Sequence, residues 1–332
     1  MRFVARLGAN ESAFGSSPLA IEAMKKAVES GANYGDPNSV ALREALSNLY
    51  GIEPGNCLVG PGIDGILLHL AKFYLGSGKV AVTTLGSYPT FDYAVNSVGA
   101  ELVRVAYREN RIDLEALAEA AHDRRADIVY LANPDNPSGS FHGRGAVEKF
   151  AASIPVGCCL LLDEAYSDFV KGDELTPVDH HMGNVIRLRT FSKAHGMAGL
   201  RIGYAIADAE KLKPLNRIRG HFEVNCVAQA GALASLQEPS WISHVVAQVD
   251  RGRIQLSAIL RDSGLRPLES RTNFVTAEVG AKDEADALLD RLLRAGIFIR
   301  KPGQPPLDGC IRVTIGRDED HSRLRLALRR EA

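Results

Sequence analysis

Four side chains with useful chemistry stand at the ends of apolar, strand-like runs. Lys193 lies in Thr190-Phe-Ser192-Lys193-Ala-His-Gly-Met-Ala-Gly199-Leu-Arg201, two residues beyond such a run. A lysine in a loop is ordinarily a solvated charge. Here Ser192 and Arg201 flank it and suit a phosphate, and a lysine held near a phosphate site and a carboxylate suits a Schiff base to an aldehyde. Asp163 ends the run in Leu160-Leu-Leu-Asp163-Glu164-Ala-Tyr166. A carboxylate buried there needs a cation or strong donors. A salt bridge or helix cap satisfies that need, and so does a protonated heterocyclic nitrogen. Asn136, in Asn133-Pro-Asp-Asn136-Pro137-Ser-Gly139, and Tyr166 are able to bond a phenolic oxygen. Taken singly, Asn-Pro is a turn and the tyrosine is core.

Taken together, these residues supply a partner for each polar atom of pyridoxal phosphate. A fourth segment, Gly60-Pro-Gly62-Ile63-Asp64-Gly65, matches the GxGxxG dinucleotide fingerprint. Pro61 between the glycines argues against NAD. So does the next strand, Val80 to Thr84, which offers no acidic residue for a ribose. What remains is a glycine-rich turn whose backbone N–H groups suit an anion such as a phosphate, or a tight turn that binds nothing.

Short β-rich runs alternate with amphipathic helices, the pattern of an α/β fold with a mainly parallel sheet. Strands are predicted at Cys57 to Val59, Val80 to Thr84, Glu101 to Val105, Ile128 to Ala132, Gly157 to Leu162 and Val185 to Phe191. Several are apolar without alternation, as in strands covered on both faces. Leu42, Ala45, Leu46 and Leu49 mark a helix face, and Ile66 to Tyr74 is helical. Beyond residue 235 the texture becomes α+β: a long helix (Trp241 to Asp262), a strand (Asn273 to Glu278), a helix (Asp283 to Ala295), strands at Gly296 to Arg300 and Cys310 to Ile315, and a last helix. A first helix, Leu19 to Ser30, is free to pack with either unit.

The chain has 332 residues, 45% hydrophobic and 24% charged, which excludes a disordered protein and suggests two domains, or one large domain with an appendage. Its 39 Lys and Arg balance 40 Asp and Glu, so no overall charge draws it to nucleic acid or an anionic membrane. The apolar stretch around Val156 to Leu162 is too short for a membrane span. No signal peptide is expected, and Cys57, Cys158, Cys159, Cys226 and Cys310 read as reduced core thiols of a cytoplasmic protein. No metal site is expected; His180-His181 has no third ligand nearby and reads as a surface loop. His195 reads as a satisfied polar contact, and Arg323, Arg325, Arg329 and Arg330 as a solvated helix face.

The motifs resemble fold-type I pyridoxal-phosphate enzymes, and within these the histidinol-phosphate aminotransferase family of the class I/II aminotransferases. Asn133 to Gly139 resembles that family's NPNNPTG, Asp163 to Tyr166 its DEAY, and Thr190 to Arg201 its lysine signature. Asn10-Glu11 resembles the start of NENP, Tyr34-Gly-Asp-Pro-Asn the family's RYPDPN, and Ile311-Arg312-Val-Thr-Ile-Gly its LRITIG. The order is kept over nearly the whole chain.

The resemblance implies a large α/β/α pyridoxal-phosphate domain (34–235) and a small α+β domain (1–33 and 236–332). Lys193 then carries the cofactor, Asp163 pairs with the pyridine nitrogen, and Tyr166 and Asn136 bond the ring oxygen. Ser192, Arg201, Thr190 and the backbone of Ile63 and Asp64 hold the phosphate. Phe91, in Pro89-Thr-Phe91, is the choice to stack on the ring, with Tyr88 as rival. Arg312 takes the substrate's acidic group, Arg300 is a second anion candidate whose plainer reading is an exposed salt bridge, and Asn10 lies on the substrate side. Tyr34 would reach the neighbouring active site of a homodimer. The sequence departs from the family at Glu11-Ser12-Ala13 for ENP, at Gly65 where Glu is usual, and at Gly35 for a proline. The implied reaction is amino transfer between an amine and a 2-oxo acid, first histidinol phosphate with 2-oxoglutarate or glutamate. Aromatic amino acids, or decarboxylation of a threonine-phosphate type substrate, are alternatives. A nicotinamide dehydrogenase and a non-catalytic binding protein are the distant ones.

Overall fold

The computed structural model describes residues 3–178 and 183–329. His180, His181 and Arg330 lie outside the described residues. In chain order, β1 (Ala5–Arg6), α1 (Pro18–Glu29) and α2 (Val40–Tyr50) lead to β2 (Cys57–Gly60) and α3 (Gly62–Tyr74). Strands and helices then alternate: β3 (Val80–Thr84), α4 (Pro89–Ser97), β4 (Glu101–Val105), α5 (Leu114–Asp123), β5 (Ile128–Ala132), α6 (Arg144–Ser153) and β6 (Cys159–Asp163). β7 (Val185–Thr190), β8 (Gly203–Ile206), α7 (Ala209–Leu212) and α8 (Cys226–Leu236) follow. The remainder is α9 (Pro239–Asp262), β9 (Arg266–Pro267), β10 (Phe274–Glu278), α10 (Lys282–Arg294), β11 (Ile297–Phe298), β12 (Cys310–Thr314) and α11 (Asp318–Arg329).

Seven strands form one sheet in the order β2-β8-β7-β6-β5-β3-β4. Only β8 runs against its neighbours, pairing antiparallel with β2 and β7. Both faces are covered. Ile128, Tyr130 and Ala132 of β5, with Cys159 and Leu161 of β6, pack under α3 and α4. The alternate residues Val129, Leu131, Leu160 and Leu162 pack against α5 and α6. That double cover explains the unbroken apolar runs of β5 and β6. The chain turns outward from β3 to β4 and returns on the other side at β5. A crevice therefore opens at the carboxyl ends of β3 and β5, where open α/β sheets take ligands.

A second apolar cluster joins α9, α10 and α11 to β10, β12 and β11. β10 pairs antiparallel with β9 and β12, and β1 pairs parallel with β11. The backbone at Leu7 accepts from the Thr314 amide at 2.8 Å, which lays the N-terminal segment along β12. α1 packs against α8, and its Met24 touches the core that includes Leu42, Phe191 and Ala228. The buried Ser17 hydroxyl caps α1 by accepting from the Ala20 amide at 3.1 Å.

Some expectations shift. Val156 is fully exposed and Gly157 lies in a turn, so the strand begins at Cys159. The expected strand at 296–300 shortens to Ile297–Phe298. β8 was not anticipated, because four residues beginning with glycine carry little strand signal; neither were α4, α5, α6 and α8. Cys57, Cys158, Cys159 and Cys310 are buried thiols, whereas Cys226 is partly exposed. His195 is buried, with Nδ1 at 2.7 Å from the Ser235 hydroxyl. Among the described residues no helix is long and apolar enough to cross a membrane, and no group of His, Cys, Asp or Glu could hold a metal ion.

The ends of β6 and β7 are tied by buried charge. Glu164 accepts from Arg187 at 2.7 Å and from Arg189 at 2.8 Å, with its side chain 2% exposed. Arg189 also donates to the Tyr50 hydroxyl at 2.9 Å. Glu164→Ala takes away the carboxylate these two guanidinium groups share. It is expected to cost about 3–5 kcal/mol of unfolding free energy, read as a lowered urea midpoint.

Candidate active site

A cavity of about 1000 Å³ opens where the ends of β3, β5, β6 and β7 meet the N-terminal segment and β12. Asp163 sits at its floor because β6 is buried along its whole length and ends there. Its Oδ1 accepts from the Ala165 amide at 2.9 Å and its Oδ2 from the Tyr130 hydroxyl at 2.6 Å. Burial pushes the carboxyl up from 3.8 to about 6, against the pull of those two hydrogen bonds and of Lys193.

Lys193 lies past the end of β7, its Nζ donating to the backbone oxygen of Asn10 at 3.2 Å. The amine is 5.4 Å from the centre of the Tyr166 ring. Burial, then the neighbouring Arg312 charge, draws its pKa from 10.5 down to about 8, while Asp163 pulls the other way. The neutral amine, the form that attacks a carbonyl or accepts a proton, is more accessible at this lowered pKa. Asn10 adopts φ +53, a turn geometry asparagine tolerates. Its side chain donates to the Tyr166 hydroxyl at 2.9 Å, and its amide donates to the Thr314 hydroxyl at 2.9 Å.

Asn136 is held by the loop after β5. Asp135, buried, accepts from the Ser138 amide at 3.0 Å and from the Tyr107 hydroxyl at 2.9 Å, pinning that loop. Asn136 Oδ1 accepts from Arg312, which also donates to the Gly8 backbone oxygen at 3.1 Å. Among the described residues no carboxylate lies within salt-bridge range of Arg312. A cation hemmed in by the chain and satisfied only by neutral oxygens still lacks a counter-ion. Arg300, bridged to Arg312 through the backbone, lines the rim and is exposed. Among the described residues no carboxylate pairs with it, so these give no support to its plainer reading as an exposed salt bridge.

A separate corner suits a phosphate. The Thr190 hydroxyl donates to Ser192 Oγ at 2.9 Å, and Arg201 reaches Ser192 Oγ at 3.4 Å. The N-terminus of the 13-residue α3 brings the backbone of Ile63 and Asp64 to the same place. Gly62 has φ +77, a left-handed geometry that strains any side chain, and a Cβ there would also push the Arg201 guanidinium, 2.6 Å away, out of place. Arg201 is tied to Asp64 at 2.8 Å, and Asp64 also accepts from the Tyr88 hydroxyl at 2.9 Å. This same turn was the dinucleotide look-alike. Its strand β2 is an edge strand pairing antiparallel with β8, not the parallel strand a dinucleotide fold uses.

Two sequence-chosen residues stand elsewhere. Phe91 is 1% exposed, stacked on Tyr130 at 4.7 Å and 11°, and does not line the cavity. It falls on the inward face of α4, whereas Tyr88, just before that helix, lines the cavity. Tyr88 is therefore the aromatic placed to flank a ring. Tyr34 is 82% exposed, stacked on Phe222 at 4.4 Å, and lies away from the cavity. Sequence reasoning missed Tyr130, hidden in an apolar strand, and the salt-bridged pair Arg104–Asp92 at the mouth, 2.9 Å apart. It also missed the rim loop with Lys301 and Gln304, which carries no motif.

The model of the family described as aminotransferase class I and II matches residues 4–328. The chain belongs to this family. It is 35% identical over 324 residues to a histidinol-phosphate aminotransferase of Jannaschia sp. (strain CCS1), covering 97% of this chain and 90% of that protein. The histidinol-phosphate aminotransferase of Granulibacter bethesdensis is also 35% identical, with coverage of 98% and 89%. The crystal structure of a Sinorhizobium meliloti histidinol-phosphate aminotransferase in complex with pyridoxal-5'-phosphate superposes with a TM-score of 0.96. It shares 41% identity, over 98% of this chain and 90% of that one. The fold of this aminotransferase is fold type I.

The residues fit pyridoxal phosphate. An amine drawn toward neutrality, a buried carboxylate, hydroxyl and amide donors around Tyr166, and an anion corner all face one cavity. The buried carboxylate is costly without its ligand. Asp163 has a raised pKa in the native chain and an ordinary one unfolded. Its contribution is thus favourable below about pH 4 and lost as pH rises through about 6. Cofactor-free Asp163→Asn is expected to melt above the cofactor-free wild type at pH 7.5, with the gap closing near pH 4. Melting curves at the two pH values check this.

Proposed function

We propose that this aminotransferase uses pyridoxal phosphate to exchange an amino group between histidinol phosphate and 2-oxoglutarate, the first giving its keto phosphate and the second glutamate, in either direction. The names borne by relatives that align over almost the whole chain support the substrate. The observation that carries the reading is Lys193 and Asp163 facing one cavity beside Arg312, a cation with no carboxylate partner among the described residues.

When bound, the cofactor supplies an aldehyde that exchanges amines and a heteroaromatic ring that accepts carbanion charge. The chain's residues do the rest. Asp163, at the closed end of β6, would keep a proton on the ring nitrogen. Tyr166 and Asn136 would bond the ring's phenolic oxygen. Ser192, Thr190, Arg201 and the start of α3 would hold the phosphate, and Tyr88 would flank the ring. Lys193 Nζ would take the proton from the substrate α-carbon as general base and deliver it, as general acid, to the aldehyde-derived carbon of the cofactor, a role suited to an amine whose pKa lies near 8. Histidinol phosphate offers a phosphate and glutamate an α-carboxylate, so Arg312 serves a different anion in each half-reaction, with Arg300 close by at the rim. A homodimer is part of the proposal, since the exposed Tyr34–Phe222 stack is available to a second subunit's site. A cytoplasmic location is proposed with it.

Adding single amines to the cofactor-loaded protein tests the substrate. Histidinol phosphate and glutamate are each expected to convert the visible absorption of the aldehyde form to that of the amine form. Conversion by aromatic amino acids but not by histidinol phosphate, or carbon dioxide release without need of a 2-oxo acid, contradicts the assignment. Arg312→Gln is expected to lower kcat/KM about a hundredfold for both anionic substrates. Lys193→Ala is expected to abolish turnover.

A further inference from the structure

The two hydrogen bonds to Asp163 differ in kind. The Ala165 contact is a turn between residues two apart. The Tyr130 contact crosses from β5 to β6, is charge-assisted and is short at 2.6 Å. Tyr130 is 1% exposed, its ring is clamped parallel to Phe91, and the residue lines the cavity. Its neighbours on the same face of β5, Ile128 and Ala132, are apolar. Packing alone would accept a phenylalanine at this place. Asp163 Oδ2 is the hydrogen-bond partner of the hydroxyl among the described residues.

We infer that Tyr130 is a positioning residue for Asp163: its hydroxyl fixes the plane of the carboxylate and keeps it ionised, so that the proton stays on the ring nitrogen of a bound pyridinium. Burial holds the Tyr130 phenol well above its ordinary value, so it remains a donor. The other charged groups facing Asp163 oppose one another, Asp64 discouraging its ionisation and Lys193 favouring it. Without the Tyr130 bond, burial prevails. The carboxyl becomes more basic, draws the proton from the ring nitrogen, and weakens the ring as an electron sink.

This inference rests on the pyridoxal-phosphate reading, and its test separates the two. Wild type and Tyr130→Phe are loaded with pyridoxal phosphate carrying 15N in the ring, and the nitrogen resonance is recorded. Wild type is expected to show the protonated position and Tyr130→Phe a shift toward the unprotonated one. The variant's kcat is expected to fall about ten- to a hundredfold, with KM for the amino donor changed by no more than about threefold. Phe91→Leu, which loosens the same stack and leaves the hydroxyl, is expected to lower Tm with the nitrogen signal in place. Tyr130 replaced by 3-fluorotyrosine, a stronger donor of nearly the same shape, keeps the signal at the protonated position even if the phenylalanine variant folds poorly. An unchanged resonance in Tyr130→Phe, or an equal shift in Phe91→Leu, overturns the inference alone. Failure of wild type to take up the cofactor overturns the functional reading and the inference with it.

Discussion

An ionised carboxylate at the buried end of a central strand is the constraint on which the site depends. β6 has no exposed residue, so Asp163, 4% exposed, ends where little solvent reaches it. The chain answers with two donors of its own, Tyr130 and Ala165, and with the nearby Lys193 amine. These lower the cost without removing it, since the carboxyl still sits near 6. Arg312 poses the mirror problem, a guanidinium bonded to neutral oxygens. Two incompletely compensated charges of opposite sign across one cavity make a receptor for a ligand that brings a cationic nitrogen to one and an anion to the other.

Topology makes this possible. The reversal of strand order between β3 and β5 opens the crevice, and the carboxyl ends of β5, β6 and β7 deliver Asn136, Asp163 and Lys193 to its walls. The N-terminal segment and β12 close the far side. Thr314 bonds Asn10 and Arg312 bonds the Gly8 backbone oxygen there, so residues some 300 positions apart meet beside the lysine. Glu164, next to Asp163, faces away from the cavity and spends its charge on Arg187 and Arg189. Two adjacent carboxylates thus serve different ends, one braced for stability and one kept for chemistry.

Much of this was legible in the sequence because strand ends and loop motifs coincide. Asp163, Lys193, Asn136, Tyr166, Ser192 and Arg201 were found from residue type and position, and all line the cavity. Phe91 was misassigned because the Pro-Thr-aromatic step marks a helix start without saying which face the aromatic takes; one turn separates it from Tyr88. Tyr130 was invisible for a different reason. Inside an apolar run a tyrosine reads as core, and only the packed sheet reveals that its hydroxyl ends beside Asp163. The rim residues Arg104, on β4, and Lys301 and Gln304, on one loop after β11, carry no spacing signal. β8 escaped notice because four residues give too little pattern.

The central claim is that the Lys193 amine is the group in this cavity that engages the cofactor's aldehyde. Borohydride reduction of the protein incubated with pyridoxal phosphate, followed by peptide mapping by mass, tests it directly. The tag is expected on the peptide bearing Lys193, one per chain, and absent from the same peptide of Lys193→Ala. A tag spread over surface lysines with Lys193 unmodified would contradict the account.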